Sequence, residues 1–235
     1  MKVLSLFDGI SCGMVALERA GILVERYVAY EIDEDAIKVS KHNYPMIEQK
    51  GDVFNAVYKE NEYDLLIGGS PCTYWSIASG DGRETIASGF GWELFMQYVR
   101  ALKEVKPKWF LYENNASMSN EIKDCITEQL GCEPIMIDSA DFSAQKRKRY
   151  YWTNIPIAAY IPSNITFEDI MDENYTMSRS IEKYKDTYKW SKDRMCLSWT
   201  RLAKGIIHKR LERGSQNRNG IQFVLTERKV KETSG

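Results

Sequence analysis

Asp64-Leu65-Leu66-Ile67-Gly68-Gly69-Ser70-Pro71-Cys72 decides how this chain is read. Three consecutive large aliphatic residues want burial on both faces, as in an interior strand of a parallel sheet. Two glycines and a proline then stop the strand and turn the chain, and the turn delivers one cysteine. Working outward, Lys108–Tyr112 is a second strand that runs into Glu113-Asn114, and Lys2–Phe7 is an earlier one that runs into Asp8-Gly9. Glu25–Tyr30, Pro134–Asp138 and Arg149–Thr153 complete the strand set. Between them, helical spacing covers Ser11–Ala20, Glu34–Asn43, Trp92–Val105 and Asn120–Leu130; in the third, Trp92, Phe95, Val99, Leu102 and Val105 share one face. Strands alternating with helices predict an α/β fold with a doubly wound, mostly parallel sheet. Ser79–Gly91 has four glycines and no period, and is expected to be a loop, a candidate lid beside the cysteine.

The totals narrow the function classes. A chain of 235 residues with 43% hydrophobic content suits one domain, or one domain with a small appendage. No apolar run reaches the ~18 residues of a membrane helix, and the N-terminus lacks a signal-peptide pattern, so a cytoplasmic protein without a membrane partner is expected. The five cysteines are scattered and form no Cys-x-x-Cys pair. That predicts free thiols in a reducing compartment and no metal site. Net charge is −1, but it is unevenly spread: residues 1–178 hold 17 Lys/Arg and 27 Asp/Glu, and residues 179–231 hold 15 and 5. The chain turns polar after Pro162, and the expected organisation is a catalytic domain over 1–160 and a basic segment over 161–235. The latter reads as a short recognition appendage, whole or truncated, or as partly disordered chain. A basic segment beside an acidic domain favours a polyanionic partner.

Phe7-Asp8-Gly9-Ile10-Ser11-Cys12-Gly13 joins the first strand to the first helix. Glycines there let a ligand approach the backbone at a helix N-terminus. Glu31 ends the second strand, where a carboxylate can accept from ribose hydroxyls. Asp52 follows Gly51, where it can accept from an adenine amine. The set is shaped for a nucleoside and has no phosphate-binding lysine, so S-adenosyl-L-methionine fits it better than a nucleotide phosphate.

Taken in order, these segments resemble the DNA (cytosine-5) methyltransferases, in wording closest to the animal de novo enzymes and their phage-like relatives. The resemblance covers roughly residues 1–156. It implies a Rossmann-like fold and use of S-adenosyl-L-methionine. Phe7, Asp8, Gly9 and Gly13 match the first motif, Glu31 the ribose acid, and Asp52-Val53 the adenine-reading pair. Pro71-Cys72 matches the nucleophile motif, Glu113-Asn114 the Glu-Asn pair, and Gln145-x-Arg147-x-Arg149 the Gln-x-Arg-x-Arg motif. It implies cofactor contacts from Phe7, Asp8, Gly9, Gly13, Glu31, Asp52, Val53 and Pro71, and catalytic roles for Cys72, Glu113, Arg147 and Arg149. The chemistry is consistent with these residue types. A thiolate adding to carbon 6 of cytosine makes carbon 5 nucleophilic, an acid can hold N3 and the exocyclic amine, and arginines can favour the thiolate. Duplex DNA is the implied substrate, with the target base flipped from the stack.

Two departures stand out. The family's Glu-Asn pair is usually followed by valine, and here Asn115 follows. No counterpart to the family's closing motifs is evident after residue 160. Three readings stay open: a fragment, a second polypeptide that supplies the missing part, or a branch that has lost it. The expectation is weak or no activity of this chain alone, with salt-sensitive DNA binding retained. A restriction partner is also open. Two rival functions remain. One is an RNA cytosine methyltransferase, although the Cys-Phe-Thr signature of the tRNA enzymes is absent. The other is a non-catalytic or split module that binds DNA or a partner chain.

Overall fold

The computed structural model describes residues 1–163 together with 165, 166 and 169. Its seven strands are β1 (Lys2–Leu6), β2 (Arg26–Tyr30), β3 (Glu48–Gln49), β4 (Leu65–Gly68), β5 (Trp109–Asn115), β6 (Ile135–Asp138) and β7 (Lys148–Thr153). They form one sheet in the order β3-β2-β1-β4-β5-β7-β6. Pairings from β3 to β5 are parallel, while β7 runs antiparallel to both β5 and β6. The helices are α1 (Cys12–Arg19), α2 (Glu34–Asn43), α3 (Gly89–Val105) and α4 (Asn120–Leu130).

Period-two alternation sorts the strand residues onto two cores. Leu4, Leu6, Val28, Tyr30, Leu66, Phe110, Tyr112 and Trp152 join Phe95, Tyr98 and Val99 of α3 and Ile122 and Ile126 of α4. Val3, Tyr27, Ala29 and Leu65 join Leu17 of α1. The sheet is therefore wound on both faces, as the alternating pattern predicts. Large side chains carry most of the first core; Trp152, Tyr98, Tyr112 and Phe95 are fully buried, each contributing about 1.5–3 kcal/mol or more by burial. Local signals set the helix ends. Asp33 caps α2 by accepting from the backbone N–H groups of Asp35 and Ala36, and Ser119 caps α4 through Ile122 N–H. Gly131 closes α4 at φ 68°.

The chain divides into two units. The first is Met1–Asp138 with Lys148–Tyr160, which holds the whole sheet; the second is Ser139–Arg147 with Ile161–Gly235. In the second unit, Arg147 O accepts from Ser139 N at 3.0 Å, and Asp141 O accepts from Ser163 N at 2.7 Å. The basic stretch 179–231 lies outside the described residues. Among the described residues, no helix is long and apolar enough to cross a membrane.

Candidate active site

The sheet's register assembles the site. Leu6 pairs with Tyr30 and with Gly68, and Gly68 pairs with Tyr112. The next residue of each strand therefore stands at one level across β2, β1, β4 and β5: Glu31, Phe7, Gly69 and Glu113. Strand spacing sets Glu31 and Glu113 about 14 Å apart along this line. The chain moves outward from β1 to β2 and β3, then returns to the other side of β1 as β4. The strand order thus switches between β1 and β4, where open α/β sheets place their ligand crevice. The glycine turn and the cysteine turn flank that switch.

The glycine turn is held open from beneath. Phe7, Gly9 and Ser11 all take positive φ, at 57°, 58° and 66°. Two non-glycine residues in this region store strain that the surroundings must hold. Asp8 holds it. Its carboxylate accepts from Ser5 Oγ at 2.6 Å, Tyr27 OH at 2.7 Å and Ser11 Oγ at 2.5 Å. Ser11 Oγ lies 2.6 Å from Ser40 Oγ, which accepts from Gln49 Nε2 at 2.9 Å. Burial and the Asp8 charge push the Tyr27 phenol upward, so it stays a neutral donor. Asp8, expected among the cofactor contacts, thus spends its oxygens inward and shapes the turn. Glu31 Oε2 accepts from Gly9 N at 2.7 Å, and its Oε1 accepts from Ile32 N and Asp33 N. Gly13 lets α1 lie on the sheet; a Cβ there would run into the Ile67 side chain and stand 2.8 Å from Tyr27 OH.

Asp52 is exposed and caps a 3-10 turn, Val53–Asn55, by accepting from Phe54 N at 2.9 Å. Val53 faces inward, only 5% exposed. Its carbonyl and that of Ala56 accept from the Arg100 guanidinium at 3.0 and 3.1 Å. Arg100, on α3, therefore fixes the loop that presents Asp52, a role without any sequence motif to mark it.

Beyond β4, exposed Pro71 opens a 3-10 turn, Cys72–Tyr74. Gly69 lies against β5, where a Cβ would stand 2.7 Å from Glu113 O and 3.0 Å from Glu113 Oε2. The double glycine thus brings the acid up to the cysteine turn. Glu113 Oε1 pairs with Arg149 Nε at 2.6 Å, from the antiparallel strand β7. That guanidinium is the more sheltered partner, 13% exposed against 34% for the acid. Arg149 acts first on Glu113, holding its carboxylate in place. Cys72 keeps intermediate exposure. Gln145 and Arg147 belong to the second unit. The first unit brings together Cys72, Glu113 and Arg149.

Tandem amides at the end of β5 clamp the cysteine turn. Asn114 Nδ2 donates to Ser70 O at 3.1 Å and Tyr112 OH at 3.0 Å, and Ser70 Oγ lies 2.7 Å from that phenol. Burial pushes Tyr112 upward, so its hydroxyl is neutral in this network. The following loop is also fastened, unlike a free lid. Glu84 accepts from Trp75 Nε1 at 3.2 Å and from Gly91 N at 3.2 Å, while Arg83 Nη2 donates to Ser117 O at 2.6 Å. Sequence reasoning singled out none of Ser70, Arg83, Glu84 or Arg100. Arg83 and Arg100 bond main-chain carbonyls, Ser70 bonds the Tyr112 phenol, and Glu84 bonds one side-chain and one main-chain N–H, none of which leaves a spacing signal.

The model of the C-5 cytosine-specific DNA methylase family matches residues 1–234. The chain belongs to that family. The match runs well past Pro156, where the recognisable motifs end. Among similar proteins, the orphan methyltransferase M.SPRI of Bacillus phage SPR is 39% identical over 126 residues, covering 52% of this chain and 28% of the phage protein. The type II methyltransferase M.NgoPII of Neisseria gonorrhoeae is 32% identical over 206 residues, covering 80% of this chain and 58% of that protein. The chain therefore spans less than two thirds of either. A solved structure from E. coli, described as a DNA modification methyltransferase encoded within a prophage, superimposes with a TM-score of 0.55 at 25% identity, covering 72% of this chain and 53% of that one.

Proposed function

We propose that this C-5 methylase family member transfers a methyl group from S-adenosyl-L-methionine to carbon 5 of cytosine in duplex DNA through a covalent Cys72 adduct. The observation that carries the reading is the adjacency of two strand ends, with Cys72 after β4 and the Glu113–Arg149 pair on β5 and β7. The cofactor fits the donor set. Residues 7–13 contain no lysine to meet a phosphate, the turn is held open, and Glu31 and Asp52 offer acceptors for ribose and adenine. Phe7, Gly9, Gly13, Val53 and Pro71 would complete its surroundings, with Asp8 holding the turn. When bound, the cofactor supplies an electrophilic sulfonium methyl.

The chain's own residues do the rest. Cys72 Sγ, as thiolate, adds to carbon 6 and forms an S–C bond, and the ring electron pair moves to carbon 5. Glu113 holds N3 and the exocyclic amine as this pair shifts. After methylation, the carbon 5 proton leaves to water, the double bond reforms and the thiolate is expelled. Arg149 keeps the acid aimed throughout. Residues 1–160 carry this chemistry, with Arg147 or Arg149 available to favour the thiolate, and 161–235 contribute basic groups for DNA phosphates.

The test is covalent capture by the full chain, supplied with S-adenosyl-L-methionine, on a 5-fluorocytosine duplex, where fluorine cannot leave carbon 5 as a proton does after methyl transfer and the adduct persists. Wild type should give a denaturation-resistant complex and Cys72→Ala none. Capture undiminished in that variant refutes the assignment. Absence of capture by wild type, with DNA still bound, would identify a non-catalytic module or a split one that needs a second chain. Capture of tRNA in preference to the duplex would identify an RNA enzyme.

A further inference from the structure

Asn115 follows the Glu-Asn pair and is only 3% exposed. Its side-chain amide uses all four hydrogen-bonding positions. Nδ2 donates to Cys72 O at 3.3 Å and to Asn114 Oδ1 at 3.2 Å. Oδ1 accepts from Ser117 N at 3.0 Å and Ser117 Oγ at 2.8 Å. The Cys72 carbonyl also accepts from Trp75 N at 3.2 Å and Ser76 N at 3.0 Å, so it is the oxygen on which the nucleophile's 3-10 turn closes. Ser117 reaches the far side of the same loop. Its carbonyl accepts from Arg83 Nη2, and Arg83 Nε donates to Trp75 O at 3.1 Å. Ser117 Oγ accepts from Ile77 N at 3.4 Å. The result is a closed circuit, Asn115 to Cys72 to Trp75 to Arg83 to Ser117 and back, anchored on β5. A buried amide is costly unless fully bonded, and an apolar residue would fill the same space without that risk. Packing alone does not account for an amide here.

We propose that Asn115 is a positioning residue for Cys72. It fixes the main chain of the turn from which the thiol projects, so that Sγ meets carbon 6 without a search by the turn, and it ties that turn to the loop behind it. The inference rests on Cys72 being the nucleophile. Its chemistry is separable from cofactor binding, because Asn115 touches no element of the glycine turn or the Asp52 loop in any of these bonds.

The experiment measures the single-turnover rate of covalent capture by the full chain on a 5-fluorocytosine duplex. Melting temperature and the dissociation constants for S-adenosyl-L-methionine and DNA are measured alongside. Asn115→Val should slow capture by about 10- to 100-fold, with both dissociation constants within about twofold of wild type. Asn115→Asp keeps the shape but loses both donors, so it should be slow as well. Ser117→Ala removes one of the two bonds to Oδ1 at a partly exposed site, and should slow capture by about two- to tenfold. It also serves if the Val variant does not fold. A graded order, wild type above Ser117→Ala above Asn115→Asp, supports positioning. Wild-type capture rates in Asn115→Val or Asn115→Asp overturn it, as does a fall in all constants in step with melting temperature. Failure of wild type to capture removes the Cys72 reading itself, and with it this one.

Discussion

Replacing Gly69 by alanine tests the geometry that brings acid and thiol together. No positive φ is recorded at Gly69, so alanine meets no conformational penalty there. The obstacle is space alone. The new Cβ would lie 2.7 Å from Glu113 O and 3.0 Å from Glu113 Oε2, against about 3.3 Å for a close carbon–oxygen contact. The first oxygen belongs to the backbone of a central strand and has no rotamer to escape into. The second belongs to a carboxylate already tied to Arg149. Relief therefore needs a shift of about half an ångström between β4 and β5. Overpacking of this kind costs about 1–3 kcal/mol, or about 2–12 °C in melting temperature for a chain of this size. Displacing the acid should also slow covalent capture by about tenfold or more. Gly82 is the control, since nothing lies within 4 Å of a Cβ there and its φ is not positive. Gly82→Ala should be neutral or slightly stabilising. Thermal unfolding followed by circular dichroism, with the capture assay, reads both variants. If Gly69→Ala melts and captures like Gly82→Ala, the close approach of β5 to the cysteine turn is not what this structure indicates.

Three further outcomes are expected. Asp52→Ala should weaken S-adenosyl-L-methionine binding by about 1–3 kcal/mol, read by calorimetry; tight NAD or ATP binding with none of the methyl donor would overturn the cofactor reading. Arg149→Ala should slow capture by about 10- to 100-fold, since a charge-assisted bond of about 1.5–3 kcal/mol no longer holds Glu113; an unchanged rate would refute its orienting role. Glu48 is lowered from 4.5 to about 2, chiefly by its bond to Arg26 and further by Lys50. A lowered value stabilises the fold above pH ~4.5 and loses that contribution as pH falls toward 2. The Glu48 side chain is 39% exposed, so solvent limits the effect to under about 1 kcal/mol. Glu48→Gln should flatten the acid limb of urea-unfolding stability between those pH values, and an unchanged limb would remove the pair from the account.

The fold was legible wherever apolar residues had to be buried. Leu65-Leu66-Ile67 and Phe110-Leu111-Tyr112 read as interior strands because nothing else in the chain accommodates such runs. Asn120–Leu130 was bounded at both ends by residues that cap. α3 begins three residues earlier than its apolar stripe, at Gly89, because Glu84 supplies a bond to Gly91 N that no local pattern announces. The two-residue β3 was missed, being too short for any period. The reversal of β7 was also illegible, since Lys148–Thr153 alternates identically in either direction. At the candidate site, the placement of Cys72, Glu113 and Glu31 at strand ends was legible because each follows an apolar run. Proximity to a glycine turn does not reveal that three hydroxyls surround the Asp8 carboxylate.

The antiparallel strand also sets a clock. Glu113 is made well before Arg149, and β7 inserts between β5 and β6 only after β6 exists. At ribosomal speeds the acid waits about 2–7 s for its guanidinium, while the parallel strands β1 to β5 can already pair. The cysteine turn and the glycine turn thus precede the partner of Glu113. Synthesis completes this cluster last, and a nascent chain stalled before β7 would hold Cys72 with Glu113 still unpaired by Arg149.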